Sequence, residues 1–202
     1  MEWYPSGVVL DLDILRGERL RPLKRAEFDQ LVRTGAFEDE RVELLRGWLV
    51  EMSPQGLEHS FAIQELENEL AFLLHGRAKI RTQLPLAATD DSETEPDLAV
   101  VAFDAGRDAQ PDTALLVIEV AVSSVRKDRE IKARIYAEAG VIEYWVVDVD
   151  RSIVVRHLEP KDCVYARVTE HGREESLALQ AFPDVVVSID AILLAKPSGD
   201  PA

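Results

Sequence analysis

Apolar residues recur along the chain with two different periods. In LEHSFAIQELENELAFLLHG (57–76) they return every three or four positions. Phe61, Leu66, Leu70, Leu73 and Leu74 form a stripe and Gly76 closes it, which predicts a helix. LKRAEFDQLVRTG (23–35) spaces Leu23, Phe28, Leu31 and Val32 in a similar way, with Gly35 as the stop. In KDREIKARIYAEAG (127–140), Asp128, Lys132 and Tyr136 recur at i, i+4 and i+8 and share one face. Ile131 and Ile135, beside that stripe, are expected to dock this helix on a sheet. Elsewhere the apolar runs are short. RVELLRGWLVEM (41–52) predicts two short strands joined at Arg46-Gly47. KIRTQLPLAA (79–88), DLAVVAF (97–103) and ALLVIEVAV (114–122) predict three more, the last two apolar on both faces like central strands. EYWVVDV (143–149) and SIVVRHL (152–158) predict a hairpin turning at Asp150-Arg151, and CVYARVTEHG and DVVVSID add further strand. The order helix, strands, helix, strands implies an α/β or α+β domain, a mixed sheet flanked by helices. A single domain over 21–195 is expected, with a loosely ordered N-terminal extension (1–20) and a flexible tail (196–202).

Composition narrows the class. The chain has 202 residues, 47% hydrophobic and 30% charged, which suits one domain with a sizeable core. Its single cysteine, Cys163, excludes an internal disulfide framework and a thiolate zinc cage, and fits a reducing cytoplasm. The acidic start MEWYPSGVVLDLD has no signal-peptide pattern, and no apolar run reaches membrane-spanning length. A net charge of −15 argues against binding nucleic acid through the whole surface. A polyanion would need a local basic patch, such as Arg126, Lys127, Arg129 and Arg134, or a bridging metal ion.

Three acidic positions interrupt apolar strands: Glu43, Asp97 and Glu119. Glu119 stands alone in LLVIEVAVSS (115–124), where an unpaired charge would be costly. If 97–103 and 114–122 pair as a hairpin around the loop 104–113, Asp97 and Glu119 lie side by side and repel. A divalent hard cation resolves that repulsion. The structural alternative has Glu119 salt-bridged to an arginine and Asp97 capping its strand. The helix would bring Lys132 near those carboxylates; a solvated Asp128–Lys132 pair is its alternative. His59, near the start of the longest helix, reads as a cap, a surface residue or a site residue. There is no HExxH, glycine-rich phosphate loop or GxSxG. Ser123 and Ser124 lack a histidine base and read as a strand end and helix cap.

RVELLRGWLVEMSPQGLEH, EPDLAVV and VIEVAVSSVRKDREIKARIYAEAGVIEYWVVD together resemble the bacterial restriction-endonuclease family of the Uma type, within the PD-(D/E)XK nuclease superfamily. The resemblance covers roughly residues 22–160. Its most specific part is the ordered series Glu119, Ser123-Ser124, Asp128, Lys132, Tyr136, Gly140, Glu143-Tyr144-Trp145 and Asp148. It implies a restriction-endonuclease-like core of helix, three strands, helix and strand, with an N-terminal helix and β-hairpin added. It also implies a DNA endonuclease using Mg²⁺ or Mn²⁺, one or two ions per site, with a homodimer as a plausible assembly. Asp97 matches the Asp of the PD element and Glu119 the acid of the next strand. The metal would be held by Asp97, Glu119 and the carbonyl of Val120. The superfamily's lysine normally follows two residues after that acid, where this chain has Ala121, and Lys132 on the helix matches it instead. Glu43, His59, Gln83, Asp128 and Tyr136 are additional candidate site residues. Val122 occupies a place where relatives carry a polar residue. A non-catalytic binding domain on the same fold is the rival reading.

Overall fold

The two apolar periods separate into helices and sheets largely where the sequence puts them. The computed structural model describes residues 19–107, 109–122 and 126–194. The expected tail, most of the N-terminal extension, Ser123 and Ser124 lie outside the described residues. In chain order the elements are α1 (Arg25–Arg33), β1 (Val42–Leu45), β2 (Trp48–Glu51), α2 (Leu57–Leu73), β3 (Ala78–Thr82), β4 (Leu86–Thr89), β5 (Ser92–Thr94), β6 (Leu98–Ala102) and β7 (Leu116–Ala121). A π-helical turn, Lys127–Lys132, then runs directly into α3 (Ala133–Glu138). β8 (Glu143–Asp148), β9 (Ile153–Lys161), β10 (Val164–Gly172), β11 (Ser176–Ala178) and β12 (Val186–Ser188) complete the chain.

Six strands form the central sheet in the order β10-β9-β8-β7-β6-β3. Only β7 and β8, joined through α3, pair in parallel; the other neighbours are antiparallel. Helix α2, the strands β3, β6 and β7, helix α3 and β8 supply the implied core of helix, three strands, helix and strand. A second sheet, β2-β1-β5-β4, stands beside it, and β11 and β12 form a small third one.

Strand alternation divides the core into two layers. Leu98, Val100, Ile118, Val120, Trp145 and Val147 face α2, where Leu66, Leu70 and Leu74 are buried against them. Ala99, Val101, Val117, Ala121, Tyr144 and Val146 face Ala133, Tyr136 and Ala137 of α3. By the same alternation, Asp97 and Glu119 belong to the α3 layer. Arg46 and Gly47 both take positive φ, 52° and 83°, in the β1–β2 turn, as the sequence predicts. A Cβ on Gly47 would fall 2.2 Å from the Cβ of Pro22, so glycine is required there for space as well as for conformation.

Several sequence expectations change. The predicted strand 79–88 is two strands in different sheets, β3 and β4. Gln83 breaks it at φ 50°, and Pro85 has no N–H to continue the ladder. The short strands β5 and β11 carried no hydrophobic period. In α2, Ala62 and Ile63 are buried, whereas Phe61 and Leu73 are only partly so. In α1 only Phe28 is buried; Leu31 and Val32 are exposed. Ile135 docks the third helix, but Ile131 is 44% exposed, because the π turn shifts it off the inner face.

Candidate active site

Strand register brings the acidic residues together. β6 and β7 pair with Leu98 opposite Ile118, which sets Asp97 opposite Glu119 on the α3 face. This is the hairpin expected around the loop 104–113. Asp97 Oδ2 accepts the Val120 N–H at 2.8 Å, so Asp97 does cap the end of the strand pairing. The amide and carbonyl of one strand residue point to the same edge. The Val120 carbonyl therefore faces the Asp97 side, and the next carbonyl, of Ala121, accepts from Val149 on the β8 side.

Glu119 is salt-bridged, but to a lysine. Lys132 Nζ donates to Glu119 Oε1 at 2.9 Å, and the Tyr136 hydroxyl donates to the same oxygen at 2.6 Å. Lys132 also lies 3.0 Å from Glu43 Oε2 and 4.0 Å from Asp128 Oδ1. Asp128, Lys132 and Tyr136 thus share an inward face, as their spacing implies. The pair Asp128–Lys132 is not solvated, since both residues are 2% exposed.

The π turn has a further effect. Its i→i+5 winding sets Lys127 above Lys132, although α-helical spacing takes Lys127 off the stripe. Lys127 Nζ donates to Glu43 Oε1 at 2.8 Å, so both lysines converge on one carboxylate of β1. Sequence reasoning placed Lys127 in a basic patch with Arg126, Arg129 and Arg134 and missed that it turns into the site. The only signal was its i, i+5 relation to Lys132.

These groups line a cleft of about 300 Å³ that includes His59, Asp97, Glu119, Val120, Lys127 and Lys132. His59 Nε2 lies 3.2 Å from Asp97 Oδ2. Glu95, Glu58, the partly exposed Val122 and the segment 52–56 also line it. Gln83 takes part through its backbone, whose N–H donates to the Asp97 carbonyl at 3.1 Å, and its side chain is not among the lining groups. Tyr144 fixes the π turn by donating to the Asp128 carbonyl at 3.0 Å. Glu143, part of the resemblance, is structural: it accepts from Trp145, Arg156 and the Gln180 amide.

Burial pushes the Glu119 carboxyl up to about 8; Lys132 opposes this, while Asp128, Asp97 and Glu43 add to it. Burial also acts to lower the Lys132 pKa. Glu119, Glu43 and Asp128 outweigh it, so the ammonium stands above the ordinary lysine value. Tyr136 is raised by burial and then by the charge of Glu119, which keeps it a hydrogen-bond donor.

Three carboxylates, Glu43, Glu119 and Asp128, therefore meet two ammonium groups, Lys127 and Lys132, and Asp97 stands opposite Glu119, an excess of acid that suits a cation. Among the described residues no group of three or more His, Cys, Asp or Glu side chains is gathered closely enough to hold a metal ion. A magnesium-like ion needs fewer, since it takes one or two carboxylates and keeps several waters. Asp97 and Glu119 each engage the protein through one oxygen, Oδ2 and Oε1, which leaves the other in each. With the Val120 carbonyl, that donor set fits a hard divalent ion.

The protein is thus a mixed sheet flanked by helices, with a carboxylate pair where β6 and β7 meet and a helix lysine over it. The family Uma2, described as "Putative restriction endonuclease", matches residues 25–191, and the chain belongs to that family. Its structure is similar to a crystal structure from Anabaena variabilis ATCC 29413, described as a "putative nuclease belonging to DUF820". The TM-score is 0.67 at 17% identity, over 85% of this chain and 97% of that one. No match is found among curated proteins. Among the described residues no helix is long and apolar enough to cross a membrane.

Proposed function

We propose that the chain is a metal-dependent DNA phosphodiester hydrolase, an endonuclease. The observation that carries this is the meeting of Asp97, Glu119 and Lys132 in one cleft, with the Val120 carbonyl on the same edge. Asp97, Glu119 and that carbonyl would hold Mg²⁺ or Mn²⁺. When bound, such an ion polarises a phosphate and lowers the pKa of a water.

The chain's own residues do the rest. Tyr136 and Lys132 fix the Glu119 carboxylate from one side, so its other oxygen has one orientation. Glu43 and Asp128 hold the Lys132 ammonium charged in the cleft wall, ready for negative charge developing on a phosphate. His59 and the Val120 amide fix Asp97. A homodimer acting on both strands, in the cytoplasm, belongs to the same proposal. The net charge of −15 favours the second reading, a non-catalytic domain on this fold. The purified protein should nick supercoiled plasmid with Mn²⁺ and not with EDTA, and Asp97→Asn should abolish nicking. A wild-type protein inert on plasmid and single-stranded DNA with either metal would leave the second reading.

A further inference from the structure

The helix that turns Lys127, Asp128 and Lys132 into the cleft borders a second, larger groove with its other face. This groove, of about 1070 Å³, lies between the helix, β10 and the β1–β2 turn. Arg46, Arg126, Arg129 and Arg134 line it, with Glu130 as the one carboxylate. That balance inverts the chain as a whole, which has 38 acidic and 23 basic residues. All four cations are arginines, whose planar guanidinium groups match phosphate oxygens in pairs. His157 also lines it; burial lowers its pKa, so it adds no charge at neutral pH. Ile131, Val164 and Val168 give the groove an apolar surface and are 44%, 51% and 49% exposed.

We propose that this groove carries the phosphodiester backbone of the DNA beyond the scissile phosphate, an inference that rests on the nuclease reading of the cleft. Arg129 is held by Glu170 at 2.9 Å, but the other ion pair on the groove face of the helix is loose. Arg126 and Glu130 are 3.4 Å apart, with side chains 89% and 63% exposed, and pairs so wet contribute little. Arg134 has no ion pair among the described residues. Arg46 is aimed by Glu138 at 2.5 Å. Arg126 and Lys127 are consecutive, one in the groove and one in the cleft, so the two openings meet at the start of the helix. A backbone in the groove reaches the cleft by a basic route on an otherwise acidic protein.

The test is equilibrium binding of a short labelled DNA duplex in EDTA, across a salt series. In the double variant Arg126→Ala/Arg134→Ala, affinity should fall roughly tenfold or more at low salt. The slope of log Kd against log salt should flatten by about two, close to one per lost phosphate contact. Arg33→Ala, an exposed arginine on α1, should change neither. If the wild type binds and the double variant matches it in affinity and slope, the groove proposal is overturned while the cleft reading stands. If the double variant loses binding but the wild type never cuts, the groove stands and the catalytic reading falls. A wild type that binds RNA through these arginines and not DNA overturns DNA as the occupant, and one that binds neither overturns the groove outright.

Discussion

Lys132→Ala should destabilise the protein severely, and the size follows from what surrounds the ammonium. Its side chain is 3% exposed and meets Glu119, Glu43 and Asp128 at 2.9, 3.0 and 4.0 Å. Removing one partner of a buried ion pair costs about 3–5 kcal/mol, because the remaining charge stays desolvated. Here three carboxylates share one cation, although Lys127 still serves Glu43. A domain of this size loses about 2–4 °C per kcal/mol, so the melting temperature should drop by roughly 6–20 °C. Protonation of Glu119 limits the loss. Lys132 holds that carboxyl down, so without it the group takes up a proton more readily; because the wild-type carboxyl already stands at about 8, the gap to wild type narrows as pH falls from about 9 toward 7 and is level below that. Lys132→Arg should recover part of the stability, and the paired neutral change Glu43→Gln/Lys132→Ala should cost less than the two single changes summed. Thermal melts at pH 7.5 and 9 decide this. A Lys132→Ala protein melting within about 2 °C of wild type at pH 7.5 would refute the buried charge hub. Catalysis is read separately, well below the melt, where the loss should be roughly a hundredfold or more.

Mn²⁺ should raise the wild-type melting temperature by mass action, about 2.7 kcal/mol at a hundredfold excess over Kd, and Asp97→Asn should remove most of that gain; an equal shift in both proteins would put the ion elsewhere. Tyr136→Phe keeps the buried ring but loses a 2.6 Å hydrogen bond to Glu119, so calorimetry should find it about 1.5–3 kcal/mol less stable. Glu93 gives a pH signature away from the cleft. Burial raises its carboxyl from 4.5 to about 7, helped by a hydrogen bond to Asp29 and that residue's charge and opposed by Arg25. The folded state thus keeps a proton that the unfolded chain releases above pH 4.5, and its contribution is lost as pH rises toward 7. Glu93→Gln cannot release that proton, so its melting temperature relative to wild type should climb between pH 5 and 7.5; a flat difference would show that Glu93 does not titrate in that window.

Asp97 and Glu119 could be paired from sequence because both strands are apolar on both faces and follow one another in the chain. A single carboxylate in each then marks the register. The break at Gln83-Leu84-Pro85 was missed, although a proline within a strand run argues against continuation. Other features were not visible. β5 and β11 are three-residue strands held by neighbours rather than by any period of their own. The π turn cannot be read from a 3.6-residue period, and that one irregularity hid Lys127 and misplaced Ile131. Burial of Lys132 was hidden for a different reason. A charged residue in a helix reads as solvated until its partners from β1 and β7 are known, and those lie 89 and 13 residues away in sequence (132 − 43 and 132 − 119).

The same geometry accounts for the position of the lysine. Ala121 alternates onto the same face as Glu119, but it is fully buried, in a layer with Ala133, Tyr136 and Ala137. A lysine stem at that point would occupy the volume through which the helix contacts the sheet, and close-packed interiors do not absorb such an addition cheaply. With alanine there, and with Ala133 and Ala137 opposite, the helix lies close enough for Lys132 to reach Glu119 at 2.9 Å. The charge arrives at the same carboxylate from the layer above rather than from the strand. The helix can then also hold Glu43 of the second sheet behind the cleft through two lysines, tying the added β-hairpin to the central sheet.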